Sequence, residues 1–204
     1  LNIFIVKLTK IIILLLVIFT GIILSIIFDK IYYSGVDTGT CKNIVNDKGN
    51  INILYFAPEE DAIKYTNLFL ETNPFNKYKE NFNFYYIDNF VPICETYKDV
   101  ALFCYPNEIS YYSNKCKADY IVTINNDFGG EIRSSSYKNV ISINQKHLPI
   151  VFLHEFGHSF ASLADEYVPS PLSTDTKNCV LDCKNFDNLN DGCYDGCGKS
   201  EYKR

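Results

Sequence analysis

The sequence predicts an α/β domain, with a mixed sheet and a helix that carries a histidine pair, preceded by one membrane-spanning helix. Three observations predict it. Strand-like and helix-like patterns alternate along residues 51–165, which favours layered α/β packing. Residues 11–28 form a run of 18 residues without a charge, and about 18–20 apolar residues suffice to cross a bilayer core as a helix. Two of the chain's three histidines, His154 and His158, stand four apart with Glu155 between them, one helical turn apart on one face.

Composition narrows the class. A chain of 204 residues allows one ordinary domain with short appendages. Its 47% hydrophobic content, with 16 Tyr and 15 Phe, is ample for a packed core. A net charge of −5, without a basic stripe, excludes nucleic acid as a partner. The chain begins at Leu1 and contains no Met, so it reads as a piece of a longer open reading frame. Oligomeric state leaves no trace in the sequence.

In chain order, residues 1–30 read as a membrane segment. Lys7 and Lys10 precede the apolar run, and Asp29 and Lys30 close it. A cleavable signal peptide has a shorter apolar region of roughly 7–15 residues and a small-residue cleavage site. An uncleaved signal anchor is therefore favoured over a cleaved signal, which would make the protein secreted. The two lysines then stay cytoplasmic and everything after residue 30 is exported, giving a single-pass protein with its domain outside the cell. Residues 31–50, with Ser34, Gly35, Gly39 and Gly49, read as a linker, and Cys41 is expected to tie it back to the domain by a disulfide. The domain proper is expected over 51–204, with a Cys-rich C-terminal part at 176–204.

Within that domain, 51–56 is a strand ended by Pro58. Residues 59–71 have helical spacing behind that proline. Residues 81–87 (NFNFYYI) form an aromatic strand. Residues 88–117 read as loops and short pieces braced by disulfides, with a helix near 107–115. Residues 118–125 (ADYIVTIN) are a strand, 126–130 (NDFGG) a turn and 140–144 (VISIN) a further strand. Pro149 opens the helix with the histidines. Strand order cannot be read from these patterns.

His154 and His158 on one helical face can both reach one metal ion, supplying two ligands of a zinc site. Glu155 is rotated about 100° from His154, beside such a metal rather than on it. That is where a general base for a metal-bound water belongs. A catalytic zinc site usually takes a third protein ligand, and Asp165 and Glu166 follow His158 by seven and eight residues. On a straight helix Asp165 would lie about 10 Å along the axis from His158. The helix must therefore break after about residue 160 and turn back. Asp165 is preferred over Glu166 as the ligand. Glycine would ease the turn, but Ala161 and Ser162 occupy it. His147, ahead of Pro149, suits a loop or capping role.

The segment HEFGHSFASLADEY (residues 154–167) resembles the active-site segment of the IgA peptidase family of zinc metallopeptidases. NPFNKYKENFNFYYID (73–88) is similar to that family's approach to an early core strand. ADYIVTINNDFGG (118–130) is similar to the strand and glycine turn that border its substrate cleft. The resemblance implies a metzincin-like fold and a zinc endopeptidase acting on a protein or peptide substrate. It implies His154 and His158 as ligands, Glu155 as base and a carboxylate of the ADEY segment as third ligand. The chain departs from the family pattern in having Ala161–Ser162 where a glycine pair is usual. It also lacks the methionine of a metzincin-like Met-turn, so that turn lies beyond Arg204 or is missing. If 118–125 is the cleft rim, its outer edge would accept substrate as an added strand.

Eight cysteines in an exported chain read as up to four disulfides. Cys179, Cys183, Cys193 and Cys197 form C-x3-C-x9-C-x3-C; disulfides are favoured there over a second zinc site. Nested pairing would staple a hairpin. Two functions compete: a zinc endopeptidase of extracellular proteins, and a non-catalytic, disulfide-braced surface module that retains a zinc site. Glu155, which a binding module does not need, favours the enzyme.

Overall fold

Six strands form one mixed sheet on which the domain is built. The computed structural model describes residues 2–34, 40–90, 92–105, 109, 113, 116–165, 177–178, 195–197 and 199–203. The chain divides into two units, Leu1–Thr38 and Gly39–Arg204.

The first unit is a helix, α1 (Asn2–Ser34). Its segment Lys10–Ile27 has a mean hydropathy of 2.9 over 18 residues, about 27 Å of helix. Among the described residues it is the helix long and apolar enough to cross a membrane.

In the second unit the sheet strands are β1 (Lys42–Val45), β2 (Ile51–Phe56), β3 (Phe82–Ile87), β6 (Tyr120–Asn125), β7 (Ser135–Tyr137) and β8 (Val140–Asn144). Their order is β1-β3-β2-β6-β8-β7. The inner four run parallel, and β1 and β7 are antiparallel edges. A hairpin of β4 (Cys94–Tyr97) and β5 (Ala101–Cys104) is closed by the Cys94–Cys104 disulfide. This part also contains the helices α2 (Glu59–Glu71) and α3 (Val151–Ala161). A short antiparallel pair, β9 (Asp195–Cys197) and β10 (Lys199–Lys203), ends the chain.

Both sheet faces are buried, which is why the inner strands read as near-continuous apolar runs. One face presents Ile53, Tyr55, Phe84, Val122 and Ile141 to Ala62, Tyr65 and Phe69 of α2 and to Phe152 and Phe156 of α3. The other carries Thr123 and Ser142, which meet Cys104 of the hairpin: Thr123 Oγ1 donates to Cys104 Sγ, and the Cys104 N–H donates to Ser142 Oγ.

Helix α3 is oriented by its aromatic stripe. Phe152, Phe156 and Phe160 recur every four residues, and His154 and His158 follow the same spacing two residues out of phase, about 200° around the helix. Phe156 packs edge-on against Phe69 at 5.0 Å and stacks on Phe160 at 5.2 Å. Burying the phenyl stripe therefore turns the imidazoles outward. Ser159 Oγ donates to Lys138 O at 2.7 Å and meets Ser136 Oγ, tying α3 to the β7–β8 hairpin.

The structure corrects two expectations and gives form to a third. Residues 42–45, inside the expected 31–50 linker, are a sheet strand. Four residues are too few for an alternation to register in the sequence. Lys42 pairs with Asp88 at 2.6 Å, and Cys41 is bonded to Cys116, so the segment is bound into the second unit. The short pieces expected within 88–117 are a disulfide-closed β-hairpin; the expected helix at 107–115 lies outside the described residues except for Ile109 and Ser113, both helical. Finally, the expected cleft-rim strand, β6, is internal, paired with β2 on one side and β8 on the other. It has no edge for a substrate strand. The edges are β1 and β7.

Removing the central phenyl tests the orientation of α3. Phe156→Ala should cost about 3–5 kcal/mol in urea-induced unfolding, because Phe156 is fully buried; a loss under 1 kcal/mol would contradict the packing described.

Candidate metal centre

Helix α3 ends where its chemistry requires. Ser162 adopts the left-handed conformation (φ 52°, ψ 41°), and its N–H donates to Gly157 O. The Leu163 N–H also reaches Gly157 O, at 3.5 Å. A left-handed backbone costs a non-glycine residue roughly 1–2 kcal/mol. The turn is thus made by a serine where glycine would be easier. Gly157 has its own part in it: a Cβ there would lie 3.3 Å from Leu163 Cδ1. The missing side chain lets Leu163 fold back over the helix.

That fold-back sets two groups at once. Leu163 O accepts a hydrogen bond from His158 Nδ1 at 2.6 Å. The carbonyl can only accept, so the proton sits on Nδ1 and neutral His158 points the bare lone pair of Nε2 outward. Two residues on, Asp165 Oδ1 arrives 3.0 Å from His154 Nε2 and 3.1 Å from His158 Nε2. The two imidazole nitrogens are 3.2 Å apart. Three ligand atoms thus form a nearly equilateral triangle, drawn from the His pair and from beyond the break.

The donor set fits a metal ion. Zinc with ligands at about 2.0–2.1 Å in a tetrahedron has ligand–ligand edges of roughly 3.3 Å, close to the triangle observed. Asp165 Oδ1 is buried between the two Nε2 atoms, a costly place for a carboxylate oxygen unless a cation or a ring proton faces it. Burial, reinforced by the neighbouring His158, holds His154 below its ordinary pKa, with Asp165 pulling the other way. A neutral imidazole is the ligating form.

Glu155 lies next to this triangle and is buried. Desolvation pushes its carboxyl up to about 7; the Asp165 charge adds to this, while His158 and Arg133 oppose it. Arg133 precedes β7 and bridges in parallel to Ala101. Neither Arg133 nor Leu163 was singled out by the sequence. A lone glycine inside the helical pattern, Gly157, was the one available hint of a close packing contact.

His147 stands apart from the triangle. It bridges Ser134 Oγ at 3.3 Å and Gly130 O at 3.0 Å, bracing the turn after β6, in keeping with a loop role. Asn144 fastens the same turn by donating to Gly129 O and Ile132 O. Glu166, the other carboxylate considered for the third position, lies outside the described residues, as do Cys179, Cys183 and Cys193.

Residues 100–194 match the family profile described as IgA Peptidase M64. The resemblance read from the HEFGH and ADEY residues is thereby supported, over a span that begins later than residue 51 and reaches further than residue 167. M64 peptidases are metallopeptidases, so the match points to a peptidase that acts on protein or peptide substrates. No curated protein matches the chain.

Substitutions at the left-handed position test the turn. Ser162→Gly should keep zinc affinity at the wild-type level. Ser162→Val, with a β-branched side chain at positive φ, should weaken it by at least about tenfold. Titration against a competing chelator measures both, and equal affinities would separate the turn from the site.

Proposed function

We propose that this chain is a zinc-dependent endopeptidase of extracellular proteins, held at the cell surface by α1. The observation that carries this reading is the triangle of His154 Nε2, His158 Nε2 and Asp165 Oδ1, with the buried Glu155 beside it. His154, His158 and Asp165 are the residues that would hold the metal. Bound there, zinc supplies Lewis acidity toward a scissile carbonyl and toward the attacking water.

The protein's own residues do the rest. The Glu155 carboxylate takes a proton from the attacking water and passes it to the leaving amine nitrogen. A buried carboxylate beside the metal position is placed for both halves of that transfer. Leu163 O keeps His158 in the tautomer with Nε2 bare. A metzincin-like fold is the architecture we favour, on the strength of the parallel core, the antiparallel edge strand β7 tied to α3, and the sharp turn that returns a third ligand. A substrate strand would not add at β6, which is paired on both sides.

The exported location rests on physical grounds of the same kind. Lys7 and Lys10 flank the apolar segment on the side expected to remain cytoplasmic. The second unit carries Cys41–Cys116 and Cys94–Cys104, which persist in oxidising compartments.

The full chain in detergent should hold about one zinc and cleave unfolded protein substrates, and a chelator should abolish cleavage reversibly. Glu155→Gln should retain the zinc while lowering kcat by about 10²–10⁴-fold. Undiminished cleavage by that variant would end the proposed role of Glu155, and chelator-resistant cleavage would end the metal mechanism.

A further inference from the structure

Asp165 lies four residues past the end of α3, outside any helix or strand. The backbone of the residue before it, Ala164, is gripped by a residue later in the chain. Asn178 presents its side-chain amide to Ala164: Oδ1 accepts from the Ala164 N–H at 2.7 Å, and Nδ2 donates to Ala164 O at 2.9 Å. The N–H can only donate and the carbonyl can only accept, so the amide has a single orientation. Beside it, the Lys177 N–H donates to Ser162 O at 3.1 Å.

One side chain thus pairs with Ala164 as a neighbouring strand would. The carbonyl it holds belongs to the peptide unit joining Ala164 to Asp165. Rotating that peptide swings the Asp165 Cα–Cβ bond, and only two side-chain torsions separate that bond from Oδ1. The carboxylate oxygen must meet two imidazole nitrogens at 3.0 and 3.1 Å, so little rotation is tolerable. The αL turn at Ser162 and the His158–Leu163 bond fix the start of the return segment; Asn178 fixes its end.

We propose that Asn178 is a positioning residue for the third ligand, setting the site's affinity for its cation without touching it. This rests on the reading of Asp165 as a metal ligand. Groups that orient metal ligands typically change metal affinity by about 10–100-fold when removed.

The experiment uses the full chain in detergent, loaded with Co(II) as a spectroscopic probe and with Zn(II) for affinity. Asn178→Ala should weaken both ions by about 10–100-fold and shift the cobalt ligand-field bands toward those of Asp165→Asn. Asn178→Asp, nearly isosteric, keeps the acceptor but sets a carboxylate oxygen against Ala164 O; it should show the same loss and covers the case in which the alanine variant fails to fold. Near-ultraviolet circular dichroism of the metal-free chains checks folding. Wild-type affinity and spectrum in folded Asn178 variants, with Asp165→Asn impaired, would overturn the positioning role. An unimpaired Asp165→Asn would instead remove the ligand reading, and the inference with it.

Discussion

Three electron-rich atoms held about 3 Å apart are the constraint on which the rest of this structure turns. Two imidazoles and a carboxylate do not gather this closely without a framework around them. The protein has to impose it from both sides. On one side is a helix with histidines one turn apart, and on the other a backbone that reverses within four residues. Each is secured by contacts remote from the three atoms themselves.

The helical side is secured by hydrophobic packing. Phe152 and Phe156 are buried against Tyr65 and Phe69 of α2 and against the sheet, which fixes the rotation of α3 about its axis. Because the phenyl and imidazole stripes share one four-residue spacing, a rotation that optimises the core also presents the histidines. The hydroxyl of Ser159 then ties the helix to the β7–β8 hairpin. Here one burial preference has a chemical consequence on the opposite face.

The reversing side is secured by polar contacts and by the absence of a side chain. Gly157 leaves room for Leu163, Ser162 accepts a left-handed backbone, and Leu163 O receives the His158 ring proton. A single carbonyl thereby links the tautomer of one candidate ligand to the path that delivers another. Asp165, which the turn returns, also faces Glu155 electrostatically and adds to the rise that burial gives its carboxyl.

The sequence by itself determined the local features. Histidine spacing and the neighbouring Glu155 follow from helical periodicity, which is a property of a few consecutive residues. The strands at 51–56 and 140–144 and the helix at 59–71 were legible for the same reason. Simple axial rise even required a break near residue 160, and α3 ends at Ala161. Only the tertiary structure decided the non-local features. Strand order made β6 internal and β7 an edge, because pairing between strands leaves no mark within a strand. It drew residues 42–45 out of the apparent linker, since the ion pair and disulfide that hold them involve Asp88 and Cys116. It also brought Asp165 to the histidines through Leu163 and Asn178, whose contributions are a backbone carbonyl and a distant amide. Neither leaves a pattern in the order of residues, because both act through where the chain returns in space.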